Sequence, residues 1–201
     1  LTAYGNYARD RHGDIIAWKS ENDPYEVADE ATSDVTLSKK LQLGATYRTL
    51  LSQKMTLELR NAFYTNGFDN RLADDTANPF CVTRGDTIHV RAYKNDFEAQ
   101  LDYEWGEKHA TTLGSAATLN FIDATLYGEH DGRALASYVQ HEWRPNPVFT
   151  ATGSLRFDYN YVDTGLKEYH LNPRLGLVYQ LSPRSSLRAS AGRGFRAATM
   201  A

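Results

Sequence analysis

Six histidines, one cysteine and 25 carboxylates are the side chains of this 201-residue chain that could hold a metal ion or move a proton. Their spacing favours neither task. His12, His89, His109, His130, His141 and His170 are scattered, with no close pair and no zinc-type interval. The loop of residues 20–34 gathers Glu21, Asp23, Glu26, Asp29, Glu30 and Asp34, oxygen chemistry suited to a divalent cation. Their order matches no calcium loop, and acidic loops are ordinarily just solvated. Arg84-Gly85-Asp86 is a tripeptide that some adhesion receptors read, but in a polar loop chance is much the better explanation of it. Cys81 has no second cysteine here and could pair only with one outside the chain. No Ser/His/Asp grouping, phosphate-cradling glycine loop or nucleotide fingerprint is present. The sequence therefore predicts no catalytic residue, no metal site, no cofactor and no enzymatic activity.

The elements that would position these groups read as strands. Net charge is −3, so nothing argues for nucleic acid as a partner. Mean hydropathy is −0.56, and no run approaches the roughly 18–20 apolar residues of a membrane helix. A membrane barrel escapes both measures, because its strands need only about 9–11 residues and only alternate ones face lipid. Aromatics make up 12% of the chain, which suits strands and bilayer interfaces.

Alternation is the dominant pattern. Residues 1–9 alternate weakly, and residues 10–34 form a long polar stretch. Residues 35–48 set Val35, Leu37, Leu41, Leu43, Ala45 and Tyr47 against Ser38, Lys40, Gln42, Thr46 and Arg48. After a short turn at Leu51-Ser52-Gln53, residues 54–65 set Met55, Leu57, Leu59 and Phe63 against Thr56, Glu58 and Arg60. Residues 66–86 read as another long loop. The cleanest alternation follows, with Phe97, Ala99, Leu101, Tyr103 and Trp105 opposite Glu98, Gln100, Asp102 and Glu104. A packed core could not bury that polar row without partners. Gly106-Glu107-Lys108 turns the chain into residues 109–121, residues 122–132 read as a connecting loop, and a sixth strand runs through Leu135, Val139 and Trp143. After Arg144-Pro145-Asn146-Pro147, Phe149, Ala151, Leu155, Phe157 and Tyr159 face one way and Thr152, Ser154, Arg156 and Asp158 the other. A loop at residues 163–165 precedes two last strands, joined at Ser182-Pro183-Arg184-Ser185, with Leu175, Leu177, Tyr179, Leu181, Leu187, Ala189 and Ala191 on one parity. Glycines inside strands (Gly44, Gly114, Gly153, Gly176) read as relief for close packing or bending.

Long and short loops thus alternate with strand direction, and Tyr47, Trp105, Trp143 and Tyr179 fall near the short turns, where one aromatic girdle would sit. A lipid-facing Lys or Arg costs about 2–4 kcal/mol at the midplane, so charges should keep to the other parity. Lys39 and His141 are exceptions near strand ends. About nine strands leave two open edges, which hydrocarbon cannot tolerate. The expected fold is all-β: an antiparallel up-and-down transmembrane barrel, present here as an incomplete segment of a larger cylinder.

The final stretch supplies a resemblance. Pro173-Arg174-Leu175-Gly176, a strand, a turn, a strand and then Gly194-Phe195-Arg196-Ala197-Ala198-Thr199 resemble the barrel of TonB-dependent outer-membrane transporters, which usually carry proline at the place of Ala198. The resemblance implies that residues 1–201 are part of a 22-stranded receptor barrel of the bacterial outer membrane. The plug domain, TonB box and remaining strands would lie outside them. It implies outer-membrane lipid, the plug of the same protein, a TonB-type energy-coupling protein and a ferric chelate as partners. The implied function is active import of a scarce nutrient, a ferric siderophore first, with haem or cobalamin behind it. Ligand contacts would come from outer loops, with Tyr64, Phe68, Arg71, Arg84, Tyr127, His130, Arg133, Tyr161, Tyr169 and His170 as candidates. Glu98, Gln100, Asp102, Glu104, Arg156, Asp158, Arg174 and Arg188 would line the bore or hold the plug. Rival readings are a passive porin, an outer-membrane barrel enzyme and a soluble secreted β-protein.

Overall fold

The computed structural model describes residues 1–13, 22, 26, 35–71, 87–163 and 165–195. Among them there is no helix. Nine strands form one antiparallel sheet in chain order: β1 (Thr2–His12), β2 (Val35–Ser52), β3 (Met55–Arg71), β4 (Thr87–Glu104), β5 (His109–Ala124), β6 (Gly128–Asn146), β7 (Phe149–Val162), β8 (Lys167–Ser182) and β9 (Ser185–Gly192). The sheet does not close, since β1 and β9 pair on one side only. Among the described residues no second layer covers it, and the only buried apolar residues are Ala124 and Ala136. A soluble sandwich would bury one row of large side chains. Here Leu43, Phe97, Leu113, Leu155, Leu175 and Leu177 all stand exposed.

Several strands run further outward than alternation predicts. β3 continues through Asn66–Arg71, and β4 begins at Thr87 rather than near Phe97. The expected loop at residues 122–132 is instead mostly strand. Only Thr125, Leu126 and Tyr127 turn there, helped by Gly128 at φ 78°. The Thr125 hydroxyl accepts the His89 N–H at 3.0 Å and so fastens this turn to β4. Beyond the bilayer both sheet faces meet water, so backbone pairing continues while hydrophobic alternation lapses. Loop asymmetry holds for the first two hairpins and fades at the third. At the opposite end the turns are Gln53-Lys54, residues 105–108, Pro147-Val148 and Pro183-Arg184. A bulge between Trp143 and Asn146 keeps Pro145 within β6, so the chain reverses later than expected.

Register puts the odd-numbered residues of β2–β8 on one face, and their side chains define a band. Three strands carry aromatics ten residues apart on that face: Tyr93 and Tyr103, Phe149 and Tyr159, Tyr169 and Tyr179. Ten steps of about 3.4 Å at a tilt near 45° rise about 24 Å, close to the apolar band of an outer-membrane barrel. Outer-end rings touch: Tyr159 and Tyr169 lie 5.0 Å apart, and Tyr93 and Phe121 6.1 Å. At the short-turn end Trp143 meets Phe149 edge-on at 6.3 Å.

Charges on the apolar parity are more numerous than Lys39 and His141, and their positions obey a rule. Arg9, Lys39, Asp69, Arg91, Asp123, Arg133 and Lys167 all lie beyond the outer aromatic row. Inside the band the polar residues satisfy one another: Asn61 Nδ2 donates to Asn95 Oδ1 at 2.7 Å, and the Ser115 and Ser137 hydroxyls pair at 3.4 Å. At the short-turn end Trp105 Nε1 donates to Thr111 Oγ1 at 2.8 Å, and that hydroxyl contacts His141 at 2.8 Å.

Candidate functional site: the polar face and its outer rim

All eight residues expected to line the bore share the even parity and one face. Glu98 lies opposite Arg60 and Ala116, Asp158 opposite Ala136 and His170, Arg174 opposite Ser154, and Arg188 opposite Val178. Tyr138 is the hub of this face, a residue that sequence reasoning passed over. Its hydroxyl reaches Glu98 Oε1 at 2.8 Å and Gln100 Oε1 at 3.1 Å, and the Arg156 guanidinium lies 5.9 Å from its ring centre. Arg60 spans Glu58 and Glu98, with Nη1 3.2 Å from Glu98 Oε2. Gln100 and Thr112 both donate to Asp102, the hydroxyl at 2.7 Å. Thr118 and Lys94 approach Asp96 at 2.7 and 2.9 Å. Charge-assisted bonds of this kind hold each carboxylate without a dry core around it.

Tyr138 sits where it does because Gly114 faces it across the β5–β6 pair. A Cβ on Gly114 would fall 2.1 Å from the ring, so the aromatic lies on bare backbone. Tyr4 covers Gly44 in the same way, at 2.2 Å. Gly153 has open space at its Cβ, so close packing does not account for that glycine.

Charge on this face is segregated. On β3 and β4 Glu58, Asp96, Glu98, Asp102 and Glu104 outnumber Arg60 and Lys94, β5 adds no charge, and on β7–β9 Arg156, Arg174 and Arg188 outnumber Asp158 and Glu168. Asp158 is 6% exposed and accepts from Arg156 Nε at 2.8 Å and Asn172 Nδ2 at 2.9 Å. Around it Arg156, Arg174, Arg193 and Phe195 border a hollow of roughly 270 Å³. His170 stacks on Phe195 with ring centres 4.0 Å apart and planes 15° from parallel. Buried polar atoms nearby, Asn160 Nδ2 and Asn172 Oδ1, have no protein partner among the described residues.

The residues expected to meet ligand divide by face. Tyr64, Phe68, His130 and His170 lie on the polar face. Tyr64 and Phe68 are strand residues of β3, not loop residues. Arg133, Tyr161 and Tyr169 stand on the apolar parity, and Tyr169 belongs to the outer aromatic row. Arg71 closes β3, exposed, and Tyr127 tips the β5–β6 turn. Gly194 and Phe195 of the terminal motif are described. Arg196, Ala197, Thr199, Arg84, Cys81 and the acidic loop apart from Asn22 and Glu26 lie outside the described residues.

At the outer rim His130 links two hairpins. Its Nε2 faces the Tyr127 carbonyl at 2.9 Å, and its Nδ1 lies 3.1 Å from Asp163, whose other oxygen accepts the Asp131 N–H at 3.0 Å. Asp163→Ala is expected to loosen this latch, raising hydrogen exchange at the Asp131 amide about tenfold. An unchanged exchange rate would show that the carboxylate bears no load there.

A nine-stranded sheet with a belt of about 24 Å, aromatic at both edges, and a hydrogen-bonded charged face opposite is a segment of a bacterial outer-membrane barrel. The family profile described as "TonB dependent receptor-like, beta-barrel" matches residues 1–201, and the chain belongs to that family. Among solved structures it is similar to the FrpB iron transporter from Neisseria meningitidis, F3-3 variant. The TM-score is 0.73 at 16% identity, covering 94% of this chain and 33% of that one. The F5-1 variant apoprotein gives a TM-score of 0.58 at 14% identity, covering 92% and 40%. The chain therefore spans about a third of the first of these and two fifths of the second. No curated protein matches the chain in sequence.

Proposed function

We propose that the full protein is an active importer. It captures a scarce nutrient at its outer rim and passes it inward through a plugged bore, driven by a TonB-type partner that engages a segment outside residues 1–201. The cargo is a ferric siderophore. The observation that carries this reading is the polar face, whose acidic and arginine-rich halves suit a folded plug more than free diffusion of solutes. Glu98, Gln100, Asp102 and Glu104 would meet plug cations, and Arg156, Arg174 and Arg188 plug anions.

Tyr64, Phe68, His130 and His170, with Arg71 and Tyr127 at the rim, are the proposed ligand contacts. Aromatic faces and guanidinium forks suit planar, anionic chelates. Membership of the TonB-dependent family supports import, and the iron named for the FrpB transporters agrees with the proposed cargo.

Uptake of radiolabelled ferric chelate by iron-starved cells tests the proposal. Deleting the gene, or separately disabling the TonB partner, is expected to abolish high-affinity uptake of one chelate class. Uptake unchanged by both lesions contradicts import. Uptake lost with the gene yet intact without the TonB partner identifies a passive channel instead.

A further inference from the structure

We propose that a groove over Gly67, on the outward face, binds the phosphate of an outer-leaflet lipid headgroup. Register places Arg9, Lys39, Gly67 and Arg91 on one cross-strand row of β1–β4, all on the lipid-facing parity. Glycine leaves a gap in that row between two cations. Lys39 and Arg91 stand two strands apart, about 10 Å between backbones, a span that both long side chains can close from opposite sides. A hollow of roughly 420 Å³ opens there, with Tyr7, Leu41 and Tyr93 on its membrane side. Tyr93 belongs to the outer aromatic row, so the groove begins at the level where hydrocarbon ends and phosphates lie.

Part of this charge is uncommitted. Among the described residues Asp69 is the only acid lining the groove; it pairs with Arg91 Nη2 at 3.4 Å, a long contact that leaves most of the guanidinium fork open, and Asp123 faces Arg91 from β5. Lys39 and Arg9 make no ion pair among the described residues. Arginine would grip a phosphate in two-point fashion and lysine would add a point charge. The apolar lining below accepts the first methylenes of the acyl chains, which a free anion lacks. That continuity with the hydrocarbon belt favours a lipid over soluble phosphate. The inference rests on the bilayer position of this face and is independent of the cargo.

The test uses the full-length protein in detergent. Retention of a bis-phosphorylated glucosamine-disaccharide lipid is measured by native mass spectrometry against the same lipid dephosphorylated, with inorganic phosphate as competitor. Wild type is expected to hold the phosphorylated lipid at least tenfold more tightly. Lys39→Gln with Arg91→Gln is expected to weaken it at least tenfold. Gly67→Leu should do the same with both cations retained, because a Cβ there meets only ordinary contacts, the nearest at 3.6 Å, and the barrel should fold. Equal retention of the dephosphorylated lipid, or wild-type retention by either variant, overturns the proposal. Displacement by millimolar inorganic phosphate also overturns it, since the site would then take a free anion.

Discussion

Gly114→Val is expected to destabilise the folded barrel by about 3–5 kcal/mol, the sum of an overpacking term and the loss of the Tyr138 hydroxyl's bonds to the Glu98 carboxylate and the Gln100 amide. The Tyr138 ring already occupies the space of a Cβ, with its Cζ 2.1 Å and its Oη 2.3 Å from that position. Valine forces the ring off the sheet, and the hydroxyl leaves Glu98 and Gln100 together. Arg60 then faces Glu98 without the tyrosine that shares it. Tyr138→Phe keeps the packing and loses only the hydroxyl bonds, so it should cost about 1–2 kcal/mol. Urea unfolding of the full-length protein in lipid vesicles reads both values. If Gly114→Val unfolds like wild type, the ring does not rest on the glycine.

The second large effect is a contrast between neighbours. Ala99→Arg is expected to cost about 2–4 kcal/mol, and Gln100→Arg less than about 1 kcal/mol. Ala99 lies near the middle of the Tyr93–Tyr103 band, between Leu59 and Ser115 on the lipid-facing parity. A guanidinium there must snorkel past half the bilayer. One residue on, the side chain points to the opposite face and already donates to Asp102, which an arginine can do as well. The same unfolding assay separates the two, and equal costs would contradict the assignment of faces.

How much of this was readable beforehand follows from where the physical constraint acts. Lipid penalises every polar residue on one parity, so the belt halves of the strands are written in strict alternation. Phe97, Leu101 and Tyr103 announce β4 unaided. Beyond the belt the penalty disappears, and Asn66–Arg71 of β3 or Thr87–Ala92 of β4 look like loop because both faces are wet. That is why Arg133, Tyr161 and Tyr169 were expected in loops as ligand contacts although they stand on strands facing outward. The Gly-and-Asp-rich run at residues 122–132 has loop composition, yet a single residue at positive φ, Gly128, suffices to turn it.

Features made by register were the least legible. The Tyr138–Gly114 stack joins residues 24 apart in sequence, and neither is unusual alone. The row Arg9, Lys39, Gly67, Arg91 exists only once four strands are aligned, and the same holds for the second aromatic row. By contrast, the residues assigned to the bore needed no register, since parity within each strand already separated them from the apolar set.

The central claim is that odd-numbered residues of β4 meet lipid and even-numbered ones do not. A nitroxide placed in turn at each position from 93 to 104 of the full-length protein in vesicles tests it, by collision with dissolved oxygen and with a water-soluble nickel chelate. Oxygen contact is expected to peak at Tyr93, Asn95, Phe97, Ala99, Leu101 and Tyr103 and to fall at each residue between them, with period two across the whole belt. A flat profile, or oxygen peaks at Glu98, Gln100 and Asp102, would contradict the account.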